Sequence, residues 1–286
     1  MLPSYLSKAQ VNKFIKNALK EDVGDGDHTS NGSIPADDQS KANLLVKESG
    51  IIAGIELSKS IFENIDPSLQ VEYLVKDGDA VSNGEIGFHL QGNTRNILKA
   101  ERLVLNCLQR MSGIATYTFR LTQLIKGTNA RLLDTRKTTP NFRAMEKWAV
   151  MIGGGFNHRF GLFDMILLKD NHIDYAGGVE NAITSTKKYL QENNLELDVE
   201  IEVRNMMELE EVIETGSVKR VLLDNMLPSD MKSAIRLIDG KMETEASGGI
   251  NEENIREIAE TGVDYISIGA LTHSYKSLDI SLKAEK

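Results

Sequence analysis

The chain has 286 residues, of which 41% are apolar and 26% charged, enough for about two domains at roughly 150 residues each, or for one large α/β barrel with an addition. Its formal net charge of −9 argues against a general surface for nucleic acid or anionic membrane, so any anionic ligand must be met by local cations. The single cysteine, Cys107, excludes an intrachain disulfide, no run approaches the ~18 apolar residues of a membrane span, and the opening MLPSYLSKAQ lacks a signal-like apolar stretch; the expectation is a cytoplasmic protein.

Residues 5–20 carry Leu6, Val11, Phe14, Ile15, Ala18 and Leu19 at helical spacing. The helix runs out in EDVGDGDHTSNGSIP, which is rich in turn formers. From 41 to 90 the chain reads as short β-like runs punctuated by Asp77-Gly78 and Asn83-Gly84, with a helix near Leu57–Ile65 between them. This predicts a small α+β domain. A long helical pattern follows over 96–125, with Ile97, Ala100, Leu103, Val104, Cys107 and Leu108 forming an apolar stripe and Gly113 a point where it can split.

Beyond residue 130 the pattern becomes regular. Strand-like runs RLLDTR, MILLK, DVEIEV, RVLLD, METEAS and YISIG alternate with helical patterns over 142–151, 179–194, 206–216, 228–238 and 251–262. Pro228 suits a first helical turn, Asn251 an N-cap and Gly262 a C-terminal stop. Such alternation predicts parallel βαβ units. The fold class is therefore α/β: an N-terminal α+β sandwich domain over 1–112, an open α/β barrel of about six parallel strands over 113–270, and a C-terminal segment, 271–286, that packs back on the first domain.

In parallel α/β folds the working residues gather at the C-terminal ends of the strands. Here those ends carry Thr135, Arg136 and Lys137; Lys169, Asp170 and Asn171; Glu200, Glu202 and Arg204; Asp224 and Asn225; Ser247, Gly248 and Gly249; and Gly269 and Ala270. Leu132, Asp134 and Arg136 share one strand face, which aims Arg136 at the barrel mouth. In DVEIEV, Val199, Ile201 and Val203 share one face, leaving Glu200 and Glu202 to point inward. There a carboxylate needs a cation or a metal. The Ser247-Gly248-Gly249 loop, followed by the helix expected at NEENIREIAE, suits an anion held by backbone N–H groups. Together with the Gly269-Ala270 loop it forms a candidate phosphate site. Three glycines, Gly153–Gly155, precede His158 and Arg159 and free the backbone for close approach to a ligand. Glu202 and Asp224 are Mg²⁺ candidates. The sequence has no zinc-ligand spacing, no P-loop, no dinucleotide fingerprint and no nucleophile elbow.

DTRKTTP, EKWAV, GGGFNHRFGLFDMILLKDNH, LLDN, SGGI and IGALTHS, together with EDVGDGDHTS and ERLVLNCLQRMSGIAT, resemble the quinolinate phosphoribosyltransferases over most of the chain. Asn141-Phe142 departs from the family's Gly-Leu, and Trp148 from its Tyr. The resemblance implies phosphoribosyl transfer from phosphoribosyl pyrophosphate to quinolinate, with decarboxylation, on the de novo route to NAD. It assigns quinolinate's carboxylates to Arg136, Lys137, His158 and Arg159, with Thr135 beside them and Arg102 supplied by the partner subunit of a dimer, alone or within a hexamer. Lys169 bridges the two substrates, and Lys137, Lys169, Glu202 and Asp224 are the catalytic set. Glu202 and Asp224 hold the ribose hydroxyls and Mg²⁺, and Ser247, Gly248, Gly249, Gly269 and Ala270 hold the 5′-phosphate. Three rivals differ in chemistry: a paralogous pyrophosphorylase-like protein of a metal-transport operon or a nicotinate-using phosphoribosyltransferase, an aldolase with Lys169 as Schiff base, and a non-enzymatic binding protein. A mono-acid needs fewer cations than this set, and the Schiff-base lysine needs an apolar pocket.

Overall fold

The computed structural model describes residues 2–285 and separates into two compact units. Among the described residues no helix is long and apolar enough to cross a membrane.

The first unit comprises Met1–Phe119, Thr139–Gly154 and Ser274–Lys286. Its opening helix, Lys8–Val23, starts where Ser7 and Gln10 form a reciprocal capping box. Five strands follow: β1 (Gln39–Val46), β2 (Gly50–Ile51), β3 (Gln70–Tyr73), β4 (Ala80–Val81) and β5 (Ile86–Asn93). An antiparallel sheet has β1 and β5 at its centre, β3 at one edge and the strand Ile280–Ala284 at the other. On β1 the burial alternates, so Ala42, Leu44 and Val46 face the core. Phe88, on β5, meets Phe62 of the helix Ile55–Ile65 edge-on at 5.7 Å. That helix begins on a carboxylate 22 residues further along the chain from Ile55. Asp77 accepts the N–H groups of Gly54 at 2.7 Å and Ile55 at 2.8 Å, which gives the Asp77-Gly78 turn a second role.

The long helix is continuous from Thr94 to Leu124, so Gly113 does not split it. The glycine is there for packing: a Cβ at this position would run into the Lys276 carbonyl and lie 2.9 Å from Ser277 Cα. Gly113→Ala gains helix propensity but forces two backbones apart. We expect a net loss of about 2 kcal/mol, in the range of overpacked sites, measurable by denaturant unfolding; an unchanged midpoint would refute the close approach. The EKWAV motif is also structural. Glu146, fully buried, accepts the Thr139 N–H at 2.9 Å and the Arg110 guanidinium at 3.1 Å. Asn141 sits at φ 62°, a left-handed conformation that Asn tolerates better than most residues. Phe142 beside it packs on Phe14 at 5.6 Å, with the Arg110 guanidinium 5.6 Å from its ring.

The second unit comprises Arg120–Thr138 and Gly155–His273. It contains β6 (Arg131–Leu133), β7 (Ile166–Leu168), β8 (Val199–Val203), β9 (Arg220–Asp224), β10 (Glu243–Ser247) and β11 (Tyr265–Ser267). All six run parallel in the order β6-β11-β10-β9-β8-β7. β6 and β7, consecutive in sequence, stand at opposite ends of that order. This is the open α/β barrel expected from the alternation. The helices Val179–Glu192, Met206–Thr215 and Pro228–Ile238 lie where the pattern placed them. Two local expectations need correction. β6 stops at Leu133, three residues before Arg136, so strand alternation does not aim that side chain. The helix after Ser247-Gly248-Gly249 starts only at Ile255. Asn251 spends its side chain on the Glu253 N–H, and its own N–H on Asn254, at 2.8 Å each. These local bonds compete with helix formation, and Asn251 is not the N-cap.

Candidate active site

The C-terminal strand ends of the second unit enclose a cavity of about 870 Å³, within the size range of small-molecule sites. Its walls bring together Thr135, Arg136, Lys137, His158, Arg159, Lys169, Glu202, Asp224, Ser247, Gly248, Gly249, Gly269 and Ala270. Asn225, Glu245, Ser267 and His273 join them. Arg102 belongs to the first unit and is exposed on the long helix.

The cationic wall is built from a buried anchor. Asp134, fully buried just past β6, accepts the Asn157 side chain at 2.6 Å and the His158 N–H at 2.9 Å. This ties the glycine-led loop 153–159 to the strand end. The chain then turns sharply, with Lys137 N–H on Thr135 Oγ1 at 3.0 Å and Thr138 N–H on the Arg136 carbonyl at 2.9 Å. Arg136 and Lys137 are left exposed. Near them Arg159 is half-buried and donates to the Met165 carbonyl at 3.1 Å. Burial, and after it the neighbouring Arg136 guanidinium, lower Arg159 from its ordinary value. Two like charges crowding one wall leave a place for an anion.

The acidic wall comes from β8 and β9. Glu202 lies 3.5 Å from Lys169 Nζ. Burial raises its carboxyl above the ordinary range, Lys169 opposes that, and Asp224 adds to it. Asp224 accepts Ser247 Oγ at 2.7 Å and Asn225 Nδ2 at 2.7 Å. Asn225 is held at φ 52°, its N–H on the Ser247 carbonyl at 2.9 Å. Gly248 follows at φ 90° and Gly249 at φ 61°, left-handed positions that favour glycine. Gly269 lets the β11 end come close: a Cβ there would lie 2.9 Å from Lys137 Cδ.

Glu245, at the cavity floor, belongs to a buried layer that continues beneath it. Glu200 and Glu245 are fully buried, and His158 Nε2 stands 3.0 Å from Glu200 Oε2 and 3.6 Å from Glu245 Oε2. Arg220 Nη1 donates to Glu245 Oε2 at 3.0 Å. Glu245 escaped the sequence reading. The period-2 test applied to DVEIEV, repeated on METEAS, puts Glu243, Glu245 and Ser247 on one face and so turns Glu245 inward with Ser247. Burial pushes both carboxyls up to about 7, and for Glu245 the Glu200 charge adds to it. The unfolded chain loses these protons near 4.5, so the folded chain holds more protons between 4.5 and 7. The stability this supplies is complete below the lower value and is lost as pH rises through the upper one. Glu245→Gln should therefore show a shallower fall in Tm between about pH 5 and about pH 8 than the parent chain. An equally steep fall would refute a titrating Glu245.

Residues 27–112 match the N-terminal domain of quinolinate phosphoribosyl transferase and residues 114–283 its C-terminal domain. The chain is 49% identical to quinolinate phosphoribosyltransferase (decarboxylating) 2b, mitochondrial, of Nicotiana tabacum, over 96% of this chain and 82% of that one. It is 48% identical to the chloroplastic nicotinate-nucleotide pyrophosphorylase (carboxylating) of Arabidopsis thaliana, over 99% and 84%. The solved nicotinate-nucleotide pyrophosphorylase from Francisella tularensis superimposes with a TM-score of 0.90 at 39% identity, over 98% of both chains. These relatives overturn the cytoplasmic location expected above, since two of them are named for the mitochondrion and the chloroplast. The cysteine count was never informative here. Cys107 is buried and its thiol is pushed up to about 12 by burial, so it is unreactive whatever the compartment. With both domains matched and nearly half of the aligned residues identical, the chain belongs to the quinolinate phosphoribosyltransferase family.

Proposed function

We propose that this chain transfers the phosphoribosyl group of phosphoribosyl pyrophosphate to quinolinate, releasing pyrophosphate and CO₂ and leaving nicotinate mononucleotide, in de novo NAD synthesis. The observation that carries this reading is the meeting of Arg136, Lys137 and Arg159 in one cavity, with the Arg136 guanidinium near enough to add to the burial that lowers Arg159. Arg136, Lys137 and Arg159 receive the two carboxylates, with Thr135 and His158 lining the same wall. A guanidinium matches a carboxylate through two parallel hydrogen bonds. Ser247, Gly248, Gly249, Gly269 and Ala270 receive the 5′-phosphate on backbone N–H groups, as late barrel loops do elsewhere.

Glu202 and Asp224 face the ribose. As pyrophosphate leaves, positive charge develops at the sugar's anomeric carbon, and two fixed carboxylates stabilise it without reorganisation. Lys169, beside Glu202, lies between the acidic and cationic walls and bridges the two substrates. The pyridine nitrogen attacks that carbon and becomes cationic. The C2–carboxylate bond then breaks, its electron pair stays at C2 under the pull of N⁺, and a proton replaces CO₂. Mg²⁺ accompanies the diphosphate. Glu202 and Asp224 suit it, being oxygen donors whose mutual repulsion a divalent ion relieves. When bound, it neutralises the leaving group's charge. In the same reading the chain forms a homodimer, alone or within a hexamer, and Arg102 acts on the neighbouring copy's quinolinate.

Purified protein given Mg²⁺, phosphoribosyl pyrophosphate and quinolinate should release CO₂ and pyrophosphate in equal amounts. Turnover with nicotinate but not quinolinate would overturn the reading. Sedimentation, and mixing Arg102→Ala with Lys169→Ala chains, tests the shared site: hybrid dimers should regain activity that neither variant shows alone.

A further inference from the structure

The layer beneath the cavity holds ionisable groups at a cost. Both Glu200 oxygens and Glu245 Oε1 are buried without a hydrogen-bond partner, a state native proteins rarely keep without a reason. His158 links this layer to the wall above. Its Nδ1 accepts the Arg159 N–H at 2.7 Å, so Nδ1 carries no proton and the ring proton sits on Nε2. Nε2 is the atom facing Glu200 and Glu245. The three side chains lie close enough to suggest a metal triad, their ligand atoms all within 4.8 Å. The tautomer opposes that, since a ligating Nε2 would have to give up the only proton on the ring. Arg220 further occupies Glu245 Oε2 at 3.0 Å.

We propose that Glu245, together with Glu200, is a positioning residue for the dianion: the negative charge of the pair, 3.6 and 3.0 Å from Nε2, favours the His158 proton on that atom without an aligned hydrogen bond to Glu200, and the unprotonated Nδ1 then holds the Arg159 backbone where its guanidinium meets a substrate carboxylate. The order of influence runs from buried carboxylates to ring tautomer to backbone to cation. Glu200 lies outside the cavity lining, and Glu245 reaches the lining only from this buried layer, with Oε2 held by Arg220. Glu245 therefore acts on the affinity for the dianion and not on the phosphoribosyl side of the cavity. The inference rests on quinolinate being that dianion.

The full-length protein labelled with ¹⁵N-histidine tests it in two independent ways. In long-range ¹H–¹⁵N spectra the His158 signals, assigned by their loss in His158→Asn, should show Nε2 protonated and Nδ1 bare. A proton on Nδ1, or a shift of the Nε2 signal to a metal-bound position on adding Zn²⁺, would overturn the proposal. In Glu245→Gln those signals should move towards a mixture of tautomers. The same variant should raise KM for quinolinate about 30-fold, below the ~10²-fold that a 1 Å misplacement can cost, with KM for phosphoribosyl pyrophosphate within about twofold of the parent. A merely structural role would raise both KM values together, which would refute positioning. Should Glu245→Gln not fold, the spectrum of the unsubstituted protein still decides. A parent chain that ignores quinolinate while showing the expected tautomer would sink the substrate reading and leave the histidine geometry standing.

Discussion

Arg136→Ala is expected to lower kcat/KM for quinolinate about 10³-fold, roughly 4 kcal/mol, while binding of phosphoribosyl pyrophosphate stays within about twofold. The magnitude is that of truncating one member of a desolvated charge pair, about 2–5 kcal/mol. Arg136 is exposed on the turn after β6 and takes part in that turn through its carbonyl, which accepts the Thr138 N–H, so its side chain can go without loosening the fold. Its guanidinium also presses on Arg159; removing it relieves that repulsion, and the variant should melt no lower than the parent. Equilibrium titrations with each substrate separate the outcomes. Equal weakening of both would show that Arg136 serves the cavity as a whole and not the dicarboxylate.

The sequence made the scaffold legible because the physics there is periodic. Helices such as Met206–Thr215 and Pro228–Ile238 repeat apolar residues at helical spacing, and β8 alternates valine or isoleucine with glutamate. What failed to show lies where periodicity ends. β6 is three residues long, and the direction of Arg136 comes from a turn closed by Thr135 and Thr138. Gly113 looked like a helix breaker, but its meaning depends on a backbone 163 residues further along the chain, at Lys276. The late start of the helix at Ile255 follows from side chains of Asn251 and Asn254 bonding locally. Glu245 was within reach, since METEAS carries the same alternation as DVEIEV. Its partners were not, because His158, Glu200 and Arg220 come from three other segments that only the folded strand order brings together.

Gly248→Ala tests the phosphoribosyl side of the cavity with one methyl group. Gly248 sits at φ 90°, where an L residue is strained by about 1–3 kcal/mol. Its Cβ would lie 2.8 Å from Asn225 Nδ2 and closer still to the rest of that amide. The Asn225 side chain must swing away, and it is the group that donates to Asp224 Oδ2 at 2.7 Å. Asp224 keeps its bond to Ser247 at 2.7 Å but loses the contact that fixes its second oxygen, and the backbone N–H groups meant for the 5′-phosphate move with the loop. We expect kcat/KM for phosphoribosyl pyrophosphate to fall about 10²-fold, about 2.7 kcal/mol, with binding of quinolinate alone nearly unchanged. Asn225→Ala separates the two causes. It removes the clash and the amide together, so the double variant should recover the part due to the clash and retain the backbone strain at position 248 together with the defect from a loosened Asp224. If Gly248→Ala binds phosphoribosyl pyrophosphate as the parent does, neither the loop conformation nor the Asn225–Asp224 contact governs that half of the site. The phosphate would then have to be held elsewhere.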